Sequence, residues 1–208
     1  MEDVIQTYLR PYDPKYPVVC FDEACKQLFG DVRPAQPTRP GRAARRDYEY
    51  ERKGVCHQLL MCEPLRGWRH VKVTARRTRR DYAACVRDLV EVHYPEAVKI
   101  RLVQDNLNTH DGASLYEAFR PEVARSILDR IEFHYTPKHG SWVNMAETEI
   151  SIMNSQCLDR RLESTALIAR EAAAWESTRN DRKARIHWTF TLAAARHKLR
   201  KLYPSIED

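Results

Sequence analysis

The chain has 208 residues, of which 43% are hydrophobic and 31% are charged, and its formal net charge is +6 at pH 7. This composition is that of a globular domain, and no apolar run approaches the roughly 20 residues that cross a bilayer. The excess of positive charge favours a polyanionic partner, although basic clusters also occur as solvated faces. The first residues lack a basic region followed by an apolar segment, so we expect a cytoplasmic protein without a signal peptide.

The amino-terminal third of the chain predicts a short polar arm and then three strands. Residues 1–16 are the arm, and the apolar run Tyr16–Ala24 is the first strand. The segment 47–64 contains a strand interrupted near Gly54, and the alternating residues 68–78 form the last strand. Three consecutive strands of this kind are typical of an antiparallel meander.

The segment 31–46 separates the first two strands and has three prolines and five arginines. Proline removes backbone donors, so we expect an exposed basic loop that is poorly ordered without a polyanionic partner, neither a helix nor a central strand. Basic clusters can hold phosphates with little sequence specificity. Three such clusters are Arg39, Arg42, Arg45 and Arg46; Arg76, Arg77, Arg79 and Arg80; and Arg196, Lys198, Arg200 and Lys201.

The second half of the chain alternates helices and strands. We expect Asp81 and Asn144 to cap helices, since their short polar side chains can accept from free backbone N–H groups. The predicted order is therefore three strands, then strands alternating with helices. It indicates an α/β fold with a mixed five-stranded sheet, an antiparallel meander plus parallel strands, flanked by helices.

Two of the predicted strands end on an aspartate. Asp22 follows the apolar run VVCF, and Asp105 follows RLVQ. Ligands of open α/β sheets bind at the carboxyl ends of parallel strands, so these carboxylates meet if the strands are parallel neighbours. Such a pair repels unless a cation lies between, and Mg²⁺ prefers carboxylate oxygen. Taken singly, an aspartate at a strand end is more commonly a turn or cap residue than a functional one.

The helix after the last strand offers a third acid, either Glu147 or Glu149. Both flank the apolar stripe of that helix at similar angles on opposite sides, so helical phase does not choose between them. Glu147 shares its side with the polar residues Asn144, Ser151 and Asn154, which favours it weakly. Glu23 is expected to pair with an arginine. The histidines His110, His134 and His139 lack metal-ligand spacing, so structural or substrate contacts are favoured.

The motifs VVCFDEA, RLVQDNLNTH and HYTPKHGSWVNMAETE, in that order, resemble the DDE transposases of bacterial insertion sequences. The resemblance is to the insertion sequence 630 group of the Tc–mariner superfamily and extends over nearly the whole chain. It implies a ribonuclease-H-like fold with Asp22, Asp105 and Glu147 as catalytic residues and metal ligands. The family pattern of asparagine, two residues and an acid selects Glu147 over Glu149. The implied cofactor is two Mg²⁺ ions, with Mn²⁺ as a plausible substitute.

The same resemblance implies DNA cleavage and strand transfer, insertion at a TA dinucleotide and a homodimer on DNA. Glu23, Asn106, Asn108 and His110 would support the site, with the two asparagines shaping the loop around Asp105. The expected DNA contacts are the first two arginine clusters together with Lys138, His139 and Asn144.

The expected domains are the arm 1–16, a catalytic domain 17–160 and a helical extension 161–208 packed on it. No helix-turn-helix region that would read transposon ends is predicted before Asp22. Two alternatives stay open: a catalytically silent DNA-binding or regulatory fragment, and another ribonuclease-H-like nuclease.

Overall fold

The computed structural model describes residues 1–138, 140–198 and 200, so the predicted DNA contact at His139 lies outside the described residues. The strands are β1 (Val18–Asp31), β2 (Tyr50–Glu63), β3 (Trp68–Thr74), β4 (Ile100–Gln104) and β5 (Ile131–Tyr135). The helices are α1 (Glu2–Tyr8), α2 (Arg79–Asp88), α3 (Ala113–Ala118), α4 (Pro121–Leu128), α5 (Met145–Met153), α6 (Thr165–Asp181) and α7 (Leu192–Lys198). A π-helical turn continues α2 (Leu89–His93) and another continues α5 (Asn154–Leu158).

The five strands form one mixed sheet in the order β3-β2-β1-β4-β5. The pairs β1–β2 and β2–β3 are antiparallel, whereas β1–β4 and β4–β5 are parallel, which confirms the predicted α/β fold. Alternate residues of the strands feed two apolar cores, one on each face of the sheet. One core includes Cys20, Val103 and residues of α1, α5 and α6, and the other includes Val19, Leu102 and residues of α2 and α4.

The first two strands form a hairpin longer than the sequence predicts. β1 pairs with β2 from Cys20↔Cys62 to Asp31↔Tyr50, with a register shift between Gln27 and Phe29. Asp22 therefore lies inside β1, and the prediction that it ends the strand is wrong. β2 continues through Gly54, but the register shift lies there, because β2 advances three residues from Val55 to Arg52 while β1 advances two. Glycine adopts the φ of +99° at this irregularity at no steric cost.

The residues before β1 are a packed helix, so the predicted polar arm is corrected. Val4 and Ile5 of α1 are fully buried, and the Tyr8 hydroxyl donates to the Val143 carbonyl at 3.0 Å. Val4, Ile5 and Tyr8 occupy one face of the helix, and that face completes the core beside α5. The sequence signal is short, since α1 has only seven residues.

Helix α6 covers the edge strand β3. The Asn180 side chain accepts from the Arg69 amide at 2.9 Å and donates to the Arg69 carbonyl at 2.8 Å. The Glu176 carboxylate accepts from the Val71 amide at 2.8 Å. Trp175 of α6 is buried in the same core as α5, so α6 shares the core of the domain. Residues 199 and 201–208 of the predicted extension lie outside the described residues.

Two local predictions differ from the structure. Thr78, not Asp81, is the N-cap of α2, and Asp81 accepts from the Thr78 amide at 2.9 Å to complete a capping box. The proline-rich segment between β1 and β2 is exposed as expected, but it folds back on itself through the bridges Gln36↔Arg45 and Arg39↔Arg42. Among the described helices, none combines the length and apolarity that a bilayer crossing requires.

Candidate active site

The register between β1 and β4 aligns two aspartates. The last parallel pair is Cys20↔Val103, and Asp22 and Asp105 each lie two residues beyond it. Asp105 follows the last residue of β4, and its Oδ1 is hydrogen-bonded to His110. Because side chains alternate with a period of two along a strand, Asp22 extends from the same face of the sheet as Cys20. This is the face that α5 covers. The two acids therefore lie side by side although only Asp105 comes at the end of its strand.

Asn144 connects the start of α5 to this pair of acids. Its side-chain oxygen accepts from the Ala146 amide at 3.1 Å, and its Nδ2 donates to the Phe21 carbonyl at 2.8 Å and to Asp22 Oδ2 at 3.3 Å. The residue is only 2% exposed, so the prediction that Asn144 contacts DNA is corrected. Its cap role is as predicted, and the same amide fixes the helix to β1.

Glu147 follows Asn144 by three residues, and residues three apart are neighbours on a helix surface. Its backbone amide donates to the Asn144 carbonyl at 3.2 Å, so it lies in the first turn beside the residue that contacts Asp22. The Glu147 side chain is half-buried and makes no hydrogen bond or ion pair with the residues that the structure describes. It therefore remains available to a ligand on the Asp22 side.

Glu149 lies on the opposite side of α5 and is fully buried. Its carboxylate accepts from Arg69 Nε and Nη2 at 3.2 and 3.1 Å and from Arg179 Nε and Nη2 at 3.1 and 2.8 Å. Two guanidiniums thus take both oxygens of this acid in a bidentate manner. Glu149 has no oxygen left for a substrate or a metal.

The acids near Asp22 affect one another electrostatically. Burial, opposed by the hydrogen bond from the Glu23 amide and aided by the charges of Asp105 and Glu147, raises the pKa of the Asp22 carboxyl to about 7. Like charges disfavour each other's ionised forms, so this effect places Asp105 and Glu147 within electrostatic range of Asp22. A cation between them would remove this repulsion.

His110 joins Asp105 to Glu23 in the interior. Its Nδ1 is hydrogen-bonded to Asp105 Oδ1, and its Nε2 lies 3.6 Å from Glu23 Oε2. Burial lowers the pKa of His110, but the two acids outweigh it and raise the pKa to about 9. Glu23 also pairs with Arg77 Nη1 at 2.7 Å, so its predicted arginine partner is found. His110 is packed edge-to-face against Phe21 at 5.0 Å between ring centroids.

The loop after β4 is shaped by residues that the sequence analysis did not single out. Gln104 is fully buried, donates to the His110 carbonyl at 2.8 Å and accepts from the Tyr82 hydroxyl at 2.8 Å. Asn106 and Asn108 are exposed, and their side chains form no hydrogen bond within the described residues, so their predicted role in shaping the loop is corrected. The missed signal is a glutamine inside an apolar strand, because a buried amide needs partners.

The predicted DNA contacts fall into two groups. The first group is exposed and forms no ion pair in the described part of the chain. It consists of Arg39, Arg42, Arg45, Arg76 and Arg80. Arg46 and Arg79 lie 3.4 and 3.5 Å from Asp31 and Glu117, respectively, while Arg77 holds Glu23. Lys138 is exposed and lines a depression together with Asp105, Asn106, Leu107, Tyr135, Thr136, Pro137 and Ser141.

The donor chemistry of this face fits a hard divalent cation. Asp22, Asp105 and Glu147 offer carboxylate oxygen, the ligand that Mg²⁺ and Mn²⁺ prefer over the nitrogen and sulfur of zinc sites. The raised pKa of Asp22 marks a group that gains from added positive charge. Across residues 1–138, 140–198 and 200, no three His, Cys, Asp or Glu side chains are placed so that together they could hold a metal ion.

Comparison with known proteins places the chain in a family. Residues 17–168 match the family described as DDE superfamily endonuclease. No protein of curated function gives a significant match. The fold matches the Mos1 strand transfer complex with a TM-score of 0.54 and 11% identity over 82% of this chain and 50% of that chain.

Two further Mos1 structures agree. The Mos1 mariner paired end complex with Mn gives a TM-score of 0.55 and 14% identity over 87% of this chain and 54% of that chain. The Mos1 transposase paired-end complex with left transposon end gives a TM-score of 0.55 and 12% identity over 82% of this chain and 52% of that chain. The chain thus spans about half the length of these transposase chains. The likeness confirms the predicted ribonuclease-H-like fold, and the family match shows that the chain belongs to the DDE endonuclease superfamily.

Proposed function

We propose that this chain is the catalytic domain of a DNA transposase, and that Asp22, Asp105 and Glu147 hold its divalent metal. One observation carries the proposal. The register of β1 and β4 aligns Asp22 with Asp105, and Asn144 fixes the first turn of α5, with Glu147, against Asp22. This arrangement supports a site shared by the three carboxylates.

Each of these residues has a distinct role in the proposal. Asp22 and Asp105 bind from the rigid sheet, and Glu147 binds from the first turn of α5. When bound, the metal supplies Lewis-acid activation of the attacking oxygen and of the scissile phosphate. His110 fixes one oxygen of Asp105, which leaves Oδ2 of that carboxylate for the ligand.

The partners follow from the family and from the charge. The similar Mos1 structures are described as a strand transfer complex and as paired-end complexes, one of them with Mn. We extend DNA cleavage and strand transfer to this chain, with Mg²⁺ or Mn²⁺ as cofactor. Transposon ends, a TA target, a homodimer and a separate helix-turn-helix region are parts of the same proposal.

The exposed cations provide the DNA contacts. Arg39, Arg42 and Arg45 are on the loop between β1 and β2, and Lys138 borders the depression beside Asp105. Fixed positive charges with no acidic partner hold phosphates without reading bases. These residues would position the DNA backbone next to the three acids.

Thermal unfolding with and without Mg²⁺ tests the metal site independently of activity. A ligand that binds only the folded state at ten times its Kd adds about 1.4 kcal/mol of stability. The wild-type protein should therefore melt at a higher temperature in Mg²⁺, and Asp105→Asn and Glu147→Gln should lose most of that shift. Asp129→Asn removes an exposed acid far from this face and is the matched control. Equal shifts in all four proteins would exclude Asp105 and Glu147 as ligands.

Nicking of supercoiled plasmid DNA in Mg²⁺ or Mn²⁺ tests the chemistry. We expect the wild-type protein to nick, and Asp22→Asn, Asp105→Asn and Glu147→Gln to bind the plasmid without nicking it. Should a wild-type protein that shows the Mg²⁺ shift bind DNA and leave it intact, the silent regulatory fragment would be the better description.

A further inference from the structure

The segment that connects α6 to α7 has an alternating pattern of exposure. Its side chains are exposed and half-buried in turn from residue 183 to residue 190, the period of an extended chain. The exposed residues are Lys183, Arg185, His187 and Thr189, and the half-buried ones are Ala184, Ile186, Trp188 and Phe190. The segment therefore presents an apolar side to the domain and a basic side to solvent.

This segment is seated firmly on the turn between β2 and β3. The Ile186 amide donates to the Pro64 carbonyl at 3.1 Å, and Arg69 Nη2 donates to the Ala184 carbonyl at 2.6 Å. Gly67 has a φ of +74°, and a Cβ there would lie 2.5 Å from the backbone carbon of Lys183. Only glycine allows the two backbones to approach this closely. The contact fixes the orientation of the segment, and therefore the direction in which its basic side chains extend.

The basic side lines a depression of about 430 Å³. Its lining residues are Tyr12, Leu65, Arg66, Lys183, Arg185 and His187, none of which is acidic. Arg66 is 49% exposed and lies 3.9 Å from Glu63, a long and partial pairing. Lys183 and Arg185 form no ion pair with any residue that the structure describes. The depression is thus a concentrated positive surface, of which Lys183 and Arg185 have no acidic partner among the described residues.

The backbone at Lys183 gives a second, independent observation. Lys183 follows the C-cap of α6 with a φ of +46°, the only non-glycine residue with positive φ among those described. Glycine is the preferred residue at this position of a helix end, since a side chain there is strained. Strain that persists at a surface position points to a use for the side chain.

We propose that Lys183, Arg185 and Arg66 form a second binding surface for the DNA backbone, separate from the acidic face. Val18, at the start of β1, borders the same region through Leu65 and Ile186, and Asp22 lies four residues further along the strand. Those four residues span about 13 Å, so the surface is at the opposite end of the parallel pair from the acids.

The spacing of the cations fits a phosphate chain. Side chains two apart on an extended segment are separated by about 6.7 Å, which is comparable with the distance between successive phosphates of one nucleic-acid strand. That the polymer is DNA rests on the proposed function, whereas the presence of a polyanion site rests on the geometry alone. This surface would hold DNA that extends beyond the catalytic face.

Binding of duplex DNA in EDTA tests the surface without involving the metal. Fluorescence anisotropy of two 30-base-pair duplexes of unrelated sequence gives the affinity as a function of salt. The variant Lys183→Gly with Arg185→Gln should bind both duplexes about 10-fold more weakly at 0.1 M salt, and its salt slope should fall by about two. Arg125→Gln with Arg170→Gln removes the same charge from residues paired with Asp129 and Glu171, and should leave the slope unchanged.

The single variant Lys183→Gly separates binding from folding. Because glycine relieves the positive φ, its melting temperature should equal or exceed that of the wild type while its DNA affinity falls. Equal losses in the double variant and its control would overturn the proposal. If only this surface fails, the Mg²⁺ shift of the wild type and the effect of Asp105→Asn remain, and the proposed function stands. A wild-type protein that binds neither duplex would contradict both.

Discussion

Glu147 and Glu149 are two residues apart on α5 and belong to two different regions of the molecule. Glu147 lies within electrostatic range of Asp22 and is half-buried, without a cationic partner among the described residues. Glu149 is fully buried between Arg69 and Arg179. The comparison shows that the environment, not the residue type, separates a structural carboxylate from one that is available for chemistry.

The difference has a thermodynamic origin. Removing a charged group from water costs several kcal/mol, and Glu149 recovers this cost through four charge-assisted hydrogen bonds. Arg69 is itself only 1% exposed, so each partner depends on the other. Glu147 has no such compensation, and the charges of Asp105 and Glu147 both raise the pKa of Asp22. One side of α5 thus carries a carboxylate with two guanidinium partners, and the other side carries a carboxylate without an ion-pair partner among the described residues.

The largest expected effect is on stability, and it tests the buried side. Glu149→Gln leaves Arg69 buried without a counter-charge, so we expect a loss of about 3–5 kcal/mol in the free energy of unfolding. Glu147→Gln should change it by less than about 0.5 kcal/mol, because the side chain has no partner to lose. Urea unfolding in EDTA measures both. Comparable losses in the two variants would mean that Glu147 also has a structural role.

Glu63 provides an intermediate case, a buried carboxylate with one hydroxyl donor and one long ion pair. It accepts from the Tyr94 hydroxyl at 2.6 Å, and Arg66 lies 3.9 Å away. Burial raises the pKa of Glu63 above its ordinary value of 4.5, despite the Tyr94 hydrogen bond and the Arg66 charge. The folded state therefore binds the proton more tightly, and the stability from Glu63 is present below pH 4.5 and is lost as the pH rises above it.

Glu63→Gln should remove this pH dependence. Relative to the variant, the wild-type protein should gain stability as the pH is lowered from 7 toward 4.5, and at pH 7 the two should differ by less than about 1 kcal/mol. Urea unfolding at several pH values measures the difference. If the wild type instead loses stability relative to the variant as the pH is lowered, the charge of Arg66 determines the pKa of Glu63 and burial does not.

The smallest effect on stability is expected for cations without partners. Arg39, Arg42 and Arg45 are exposed, so replacing all three by glutamine should leave the melting temperature nearly unchanged. The same triple variant should flatten the salt dependence of DNA binding by up to three, about one for each lost phosphate contact. An unaltered slope, measured by anisotropy beside the wild type, would remove this loop from the DNA-binding surface.

Much of the fold could be predicted from the sequence because its signals are local. Short apolar runs gave the strands β4 and β5, and the cap at Asn144 gave the start of α5. The extent of β1 could not be predicted in this way. Its continuation beyond Asp22 depends on pairing with β2, which is a long-range contact that a single strand's pattern does not contain.

The site shows the same limit. Helical phase did not choose between Glu147 and Glu149, the polar residues beside Glu147 favoured it weakly, and the family motif selected it. The structure supplies a physical distinction, but it requires Arg69 and Arg179, which lie 80 and 30 residues from Glu149 in sequence. Asn144 was predicted as both cap and DNA contact, and its burial against Phe21 and Asp22 leaves only the first role.

Helix α6 is hydrogen-bonded to the edge of β3, so the folded domain extends beyond the residues that match the family. The family match ends at residue 168, within α6, yet Asn180 and Glu176 satisfy backbone groups of β3 beyond that point. A chain cut at the limit of the match would expose an unpaired strand edge to neighbouring molecules. It would also lack Arg179, one of the two partners of Glu149. Because the match begins at residue 17, it would lack α1 as well, and with it the core side chains of Val4 and Ile5. Fragments chosen by homology alone should therefore aggregate, whereas those that retain both flanking helices should stay monodisperse.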